Sequence, residues 1–214
     1  MTDLNLWKQH LGVVPDEVWR RTDLETLVLA DNDLVEVSSA LGGLRRLRML
    51  DLGHNRLAAV PASIGDLEGL TDFLYLHDNQ LQAVPPEIAK LTRLRYLNIS
   101  NNQLTALPEP ICDMAGLVEL RALDNKISAL PGAIRKLVKL RELHLRNNAL
   151  TVLPDEIGQL PALRQLDLRG NPLASLPDSI AALPALEKLD LRWTHFPLPA
   201  WCAELEARGV LVYR

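Results

Sequence analysis

Residues 94–114 read LRYLNISNNQLTALPEPICDM. Apolar aliphatic residues occupy positions 94, 97, 99, 104, 107 and 111, with an asparagine at 102 and a proline at 108. The L-x-L spacing directs alternate side chains to one face of a strand. Proline stops the chain from continuing that strand and suits the first position of a short helical turn. The stretch therefore predicts one short strand followed by one short turn, with both buried on a single side.

The same pattern recurs along the chain, so it is a repeat. The asparagines are 23 residues apart, except for one step of 24, and they are Asn32, Asn55, Asn79, Asn102, Asn125, Asn148 and Asn171. The short amide side chain can pair with backbone groups of a buried turn, where each unpaired group costs about 1–3 kcal/mol. Gln9 and Thr194 stand one period beyond the two ends. They extend the count to about nine rungs, with atypical terminal rungs as caps.

The full pattern, L-x-x-L-x-L-x-x-N-x-L-x-x-[LV]-P-x-x-I-x-x-L, resembles the leucine-rich repeat family in its 23-residue class. That class includes intracellular Ras-group and scaffold proteins. The resemblance implies an α/β fold, a right-handed solenoid with a concave parallel β-sheet and short helical or 3-10 turns on the convex side. We expect one domain over residues 1–214, with an N-terminal cap repeat at 1–23. Regular repeats then span 24–185, and a degenerate repeat and cap span 186–214.

Two departures from the pattern carry structural predictions. Ala122 replaces an inward leucine, which predicts a thin core or a small shift in register at that rung. The step of 24 residues places one extra residue between Leu70 and Leu74. We expect this insertion to bulge the start of the strand and to push Phe73 toward the rim.

Composition limits the function. The 214 residues are 48% hydrophobic but only 4% aromatic, and the net charge of −4 argues against nonspecific nucleic-acid binding. The N-terminus lacks the pattern of a secretory signal, and no run of 18 apolar residues predicts a membrane span. Cys112 and Cys202 are about four rungs, or ~20 Å, apart, so we expect two buried thiols and no disulfide. These features favour a cytoplasmic protein.

The alternation of side chains predicts which residues face outward on the concave side. One group is aromatic in a chain with few aromatics, and it comprises Met49, Phe73, Tyr75, His77 and Tyr96. Exposed aromatic side chains on a rigid sheet are typical of binding hot spots. The alternative is that they shield the sheet as cross-strand pairs worth about 0.2–1 kcal/mol each.

A second outward group is charged. Arginine suits bidentate recognition of carboxylates or phosphates, so a column of arginines can bind an acidic segment of a partner. The alternative is a lattice of exposed charges that neutralise one another, because Asp167 and Asp190 stand in the neighbouring column. The candidate partner-binding residues here are Arg121, His144, Arg146, Arg169, Arg192 and Trp193.

Catalysis is not expected. His144 is one rung from Asp167, but no Ser, Cys or Thr nucleophile accompanies them, and no glycine-rich phosphate loop is present. The histidines at 10, 54 and 195 show no ligand spacing, so we expect neither a metal nor a cofactor. The sequence favours a non-catalytic module that binds a partner protein or peptide on its concave face, as a monomer or weak dimer. Two alternatives stay open: a homo-oligomeric structural or scaffold protein, and a bacterial effector-type regulator that binds a signalling protein.

Overall fold

The computed structural model describes residues 2–214. Ten strands form one parallel sheet in which the spatial order follows the chain order. They are β1 Asp3–Asn5, β2 Thr26–Val28, β3 Met49–Asp51, β4 Phe73–Tyr75, β5 Tyr96–Asn98, β6 Glu119–Arg121, β7 Glu142–His144, β8 Gln165–Asp167, β9 Lys188–Asp190 and β10 Leu211–Tyr213.

A short helical turn follows each of the first nine strands. An α-helical turn, α1 at Asp16–Trp19, follows β1, and helix α2 at Trp201–Ala207 joins β9 to β10. The turns between are 3-10 helices at Ser39–Gly43, Ala62–Asp66, Pro86–Lys90, Glu109–Asp113, Gly132–Lys136, Asp155–Gln159 and Asp178–Ala182. The leucine-rich repeat solenoid that the sequence predicts is therefore confirmed, and β10 adds one strand beyond the nine rungs.

The leucines of the repeat build one continuous core. Leu74, at the centre of β4, pairs with Leu50 on one side and Leu97 on the other, and all three are fully buried. Strand residues on either side of each central leucine face the concave surface, as the period of two requires. The leucines two residues later along each rung, such as Leu76, are buried in the same core.

Each ladder asparagine joins two rungs. The Asn102 side chain donates to the carbonyl oxygens of Ile99 and Ser100 in its own rung and of Leu76 in the preceding rung. Its carbonyl oxygen accepts a bond of 2.9 Å from the backbone amide of Leu81. Pairing these buried backbone groups is the role that the repeating asparagine predicts.

The extra residue of the 24-residue step lies before β4, within 70–72. Phe73 keeps one-to-one register with Met49 and with Tyr96, so the strand itself has no bulge, and the expectation of a bulged strand is wrong. The extra residue provides one more backbone carbonyl that can accept a hydrogen bond from the residues at the start of β5. The amide of Arg95 donates to Thr71 and that of Tyr96 to Asp72, whereas the corresponding amides one rung later share the Arg95 carbonyl.

Ala122 causes no shift in register, because β6 pairs residue for residue with β5 and β7. The effect of the smaller Ala122 side chain appears in the asparagine ladder instead. Asn125 is only half-buried, and its bond to the Ala122 carbonyl is stretched to 3.5 Å. The smaller side chain is therefore accommodated without moving the strand.

Both cysteines are free thiols in the buried core, as predicted. Burial raises the pKa of Cys112 to about 12 and also raises that of Cys202, so both are protonated at neutral pH. Cys202 and Leu205 face inward from α2, where they occupy the slots of the repeat's isoleucine and leucine.

Candidate functional site

Three rings form a cluster on the concave face, and we call Phe73, Tyr75 and Tyr96 the aromatic cluster. Phe73 lies nearly parallel to Tyr75 with centroids 5.9 Å apart, and Tyr96 is 5.5 Å from Phe73 and 5.2 Å from Tyr75. Such offset and tilted pairs contribute about 0.5–1.5 kcal/mol beyond area burial. The parallel register brings the rings together, because residues 73 and 96 are direct neighbours across β4 and β5.

The cluster is partly open to solvent. Phe73 is 42% exposed, although it is a large apolar side chain at the centre of the sheet. Burial raises the pKa of Tyr96 to about 12, and burial also raises the pKa of Tyr75. Both phenols are therefore neutral hydrogen-bonding groups at physiological pH. Met49, which pairs with Phe73, is half-buried at the edge of the cluster.

Arg121 extends the cluster on one side. Its guanidinium lies 5.7 Å from the Tyr96 ring centroid, within the range of a cation–π contact, and its Nε donates to Glu119 at 2.5 Å. Sequence reasoning placed Arg121 with the charged column. The structure groups it with the aromatic residues.

A groove of about 420 Å³ runs beside the cluster at the start of β4 and β5. Its lining combines the Phe73 and Tyr96 rings with the side chains of Arg48, Asp72, Arg95, Val118 and Glu119. Arg48 pairs with Asp72 at 3.0 Å, whereas Arg95 forms no ion pair with any described residue. Asp72 belongs to the inserted segment, so the extra residue contributes directly to this groove.

His77 borders the cluster on the other side. Its ring meets Tyr75 edge-on at 5.9 Å and His54 edge-on at 4.9 Å. Burial lowers the pKa of His77, so the imidazole is neutral at physiological pH. The ring lies over Gly53, where a side chain would collide with it, since a Cβ there would lie 2.5 Å from the imidazole Cε1.

The arginine column is internally paired. Arg169 makes two bonds to Asp167, at 2.9 and 2.6 Å, and Arg192 does the same to Asp190 at 2.9 and 2.8 Å. Both carboxylates are buried, at 6% and 0% exposure, so they are held beneath the guanidinium groups. Arg146 pairs with Asp124 at 3.2 Å. This geometry matches the alternative of a self-neutralising lattice, with the difference that the carboxylates are buried.

Trp193 is 62% exposed beside this lattice, and its ring lies 5.9 Å from the guanidinium carbon of Arg169. The ring next to Arg192 is that of Tyr213, at 5.3 Å. Trp193 also has a left-handed backbone with φ of 65°, which a bulky residue rarely adopts. The sequence places Trp193 beside Arg192, whereas its ring packs against the preceding arginine.

His144 pairs with acidic groups other than Asp167. Its Nε2 lies 3.2 Å from a Glu142 oxygen and 3.9 Å from a Glu119 oxygen. Asp167 is bonded to Arg169 instead. The His–Asp pair considered from the sequence does not form.

Internal pairing of the arginines was the alternative considered from the sequence, and D-L-R at 167–169 and 190–192 explains it, since residues two apart in an extended segment face the same side. One feature escaped the sequence reasoning. His54 and Asp78 hold equivalent positions in adjacent rungs, next to His77, so their proximity follows from the repeat register. Each histidine was treated separately in the sequence, and the group of His54, His77 and Asp78 was therefore missed.

The comparisons with known proteins identify the family. The leucine-rich repeat profile matches residues 1–57, 124–173 and 138–196, and a second profile for two copies of the repeat matches 72–112. The chain belongs to the leucine-rich repeat family. These repeats generally serve as protein-interaction modules rather than as catalysts. Among curated proteins, the comparison finds no significant match.

Solved structures share the fold over nearly the whole chain. The leucine-rich repeat domain of the type III effector XopL is 28% identical with a TM-score of 0.85, over 99% of this chain and 75% of that one. A leucine-rich repeat protein of Leptospira interrogans is 26% identical with a TM-score of 0.76, over 98% and 64%. The ectodomain of the Arabidopsis thaliana receptor kinase GASSHO1/SCHENGEN3 is 30% identical with a TM-score of 0.83, over 99% and 26%.

These neighbours also differ from the chain. It spans 64% of the length of the Leptospira protein and 26% of that of the plant ectodomain. The plant ectodomain was solved in complex with CASPARIAN STRIP INTEGRITY FACTOR 2. None of the helices formed by residues 2–214 has the length and apolar character needed to cross a membrane.

Proposed function

We propose that this protein binds another protein or a peptide on its concave face, with the aromatic cluster as the anchor. The observation that carries the proposal is the grouping of Phe73, Tyr75 and Tyr96 on adjacent strands of a rigid sheet, with Phe73 42% exposed. Aromatic side chains dominate binding hot spots because they bury a large area and lose little conformational freedom.

The groove beside the cluster supplies the second part of the surface. It offers an apolar wall from the Phe73 and Tyr96 rings and a cation from Arg95, which no described carboxylate neutralises. An aromatic or aliphatic side chain next to an acidic group on the partner complements this combination. The acidic segment of the partner is thus matched to Arg95 at the groove, in addition to the column of Arg146, Arg169 and Arg192, whereas Arg48 is already paired with Asp72.

The arginine column is the weaker half of the proposed surface. Its guanidinium groups already donate to Asp167, Asp190 and Asp124, so a partner carboxylate would have to compete with these internal bonds. Because the Asp167 and Asp190 carboxylates are buried, releasing their arginines to a partner would leave buried charges without a counter-ion. Trp193 remains the most exposed large hydrophobic side chain at this end of the solenoid.

Site-specific crosslinking tests the proposal. A photoreactive phenylalanine analogue is placed at Phe73 and, as a matched control, at Val152, which is 55% exposed and outside the strands. We expect a crosslinked product in lysate of the native host from position 73 and none from position 152. A product of twice the mass of the chain would instead support the homo-oligomeric alternative.

The captured partner then allows an affinity measurement. Tyr75→Ala with Tyr96→Ala should weaken binding by about 30-fold or more, since a hot-spot residue contributes about 2 kcal/mol or more. Circular dichroism checks that the variant folds. Unchanged affinity in a folded variant would refute the aromatic anchor.

The effector-type alternative has one specific observation in its favour, the TM-score of 0.85 with the repeat domain of a type III effector. Under that alternative the concave face is the same, and the partner is a signalling protein. The identity of the crosslinked partner distinguishes the two.

A further inference from the structure

Three side chains of adjacent rungs meet beside the aromatic cluster. His54 and Asp78 hold equivalent positions directly before Asn55 and Asn79, both with a left-handed φ of 52°. The Nδ1 of His54 lies 3.5 Å from Oδ2 of Asp78, and the Nε2 of His77 lies 3.8 Å from the same oxygen. One nitrogen of each histidine and one carboxylate oxygen all lie within 4.8 Å of one another.

We propose that His54, His77 and Asp78 form a binding site for a divalent transition-metal ion of the zinc type. Two imidazoles and one carboxylate are ligands that Zn²⁺ uses widely. With metal–ligand bonds of about 2.0–2.1 Å, the ligand atoms of a tetrahedral site are about 3.4 Å apart. The two nitrogen–oxygen separations, 3.5 and 3.8 Å, exceed that value by about 0.1 and 0.4 Å. Three protein ligands leave the fourth position to water or to a group from outside the chain.

The environment of His77 supports the assignment. Its side chain is only 20% exposed, and its Nδ1 is buried without a hydrogen-bond partner in the described chain. The nitrogen that faces Asp78 is Nε2, at 3.8 Å, so Nε2 is the ligand atom, and the low exposure of the ring holds it beside that carboxylate.

Local charge favours a cation here. The carboxylates that act on His77 are Asp51 and Asp78, and the one positive group that does so is His54 when protonated. A second cluster, Glu119 with Glu142 and His144, lacks this advantage. There Arg121 donates to Glu119 at 2.5 Å, which occupies the carboxylate and repels a metal ion.

Gly53 positions the His77 ring. A Cβ at residue 53 would lie 2.5 Å from Cε1 and 2.8 Å from Nδ1 of that imidazole, so alanine must displace the ring. Gly53→Ala therefore moves one ligand without removing any of the three. Its backbone does not lie in the left-handed region that favours glycine, so the substitution adds no backbone strain.

Isothermal titration of the chelator-treated protein with ZnCl₂ at pH 7.5 tests the proposal. We expect one saturable site per chain, and about tenfold or greater loss of affinity in His54→Ala and in Asp78→Asn, which removes the charge and keeps the side-chain size. Gly53→Ala should also weaken binding, through His77. His10→Ala is the matched control, since His10 pairs with Asp33 at 3.4 Å in an exposed contact that lacks a second histidine.

Two further readouts separate this site from other sources of zinc binding. Zinc should raise the thermal midpoint of the wild type but not of Asp78→Asn, because binding to the folded state stabilises it. NMR should show the imidazole signals of His54 and His77 shifting together. Equal zinc affinity in His54→Ala, Asp78→Asn and the wild type would overturn the proposal, as would shifts at His144 alone or the absence of a saturable site.

Discussion

Replacing Asn102 by alanine removes one step of the asparagine ladder from the middle of the solenoid. The change leaves the buried amide of Leu81 without an acceptor, and the carbonyls of Leu76, Ile99 and Ser100 lose their shared donor. A buried amide without an acceptor costs about 2 kcal/mol. The Asn102 NH₂ group has two hydrogens, which the three carbonyls share, and losing each of these two donors costs about 1 kcal/mol. We therefore expect the free energy of unfolding to fall by about 4 kcal/mol.

Asn125→Ala is the matched control in the next rung. Asn125 is half-buried, and one of its bonds is stretched to 3.5 Å, so its removal should cost about half as much as that of Asn102. Comparing the same Asn→Ala substitution in the two rungs thus tests whether burial of the asparagine determines how much it contributes to the free energy of unfolding.

Urea unfolding measures both variants. Circular dichroism follows the whole solenoid, whereas fluorescence reports its ends, because the tryptophans are Trp7, Trp19, Trp193 and Trp201. Each rung contacts only its neighbours, so a destabilised rung in the middle should allow the two halves to unfold separately. The transitions seen by circular dichroism and by fluorescence should then occur at different urea concentrations. The reasoning is refuted if Asn102→Ala costs less than about 1 kcal/mol, or no more than Asn125→Ala.

Three further predictions concern ionisation. Tyr96 should be the last tyrosine to ionise, near pH 12, so Tyr96→Phe should remove the highest step of an ultraviolet pH titration. Cys112 and Cys202 should resist a thiol reagent in the native protein and react after denaturation, because burial protects them and raises their pKa values. Burial acts to raise the pKa of Asp190, but bonds from Arg192 and the charge of Arg169 outweigh it and lower the pKa on balance. Stability from Asp190 is therefore present above its unfolded pKa of about 4 and is lost as pH falls through the folded value. In urea unfolding, Asp190→Asn should cost about 1–2 kcal/mol at pH 7, because charge-assisted bonds are lost while Arg192 stays open to solvent, and it should flatten this acid dependence.

The fold could be predicted because the repeat constrains every rung in the same way. One asparagine and one L-x-L spacing determine the register, and that register correctly placed Phe73 opposite Tyr96 and Met49. The prediction failed where the period changed. The sequence showed that one residue was extra, but whether a strand or the preceding loop absorbs it depends on the backbone bonds available at 71 and 72.

The candidate site could be predicted only in part. The sequence correctly predicted which side chains face outward on the concave side, since this depends on the period of two. The ion pairs of the arginines were harder to predict, because a guanidinium group can contact either a partner or a carboxylate of its own rung. Asp167 and Asp190 lie two residues before Arg169 and Arg192, and burial of those carboxylates decides the matter. Side-chain rotamers of this kind are set by packing, which a repeat pattern does not encode.

The asparagine ladder also sets an order for biosynthesis. Asn102 completes the turn of the rung before it, by accepting from Leu81 and donating to Leu76, and the other ladder asparagines reach back in the same way. A chain leaving the ribosome N-terminus first therefore carries an unfinished turn until the next repeat emerges. At about 5–20 residues per second, that wait is roughly one to five seconds for each rung. Each rung of the nascent solenoid is therefore completed only after the next rung has been synthesised.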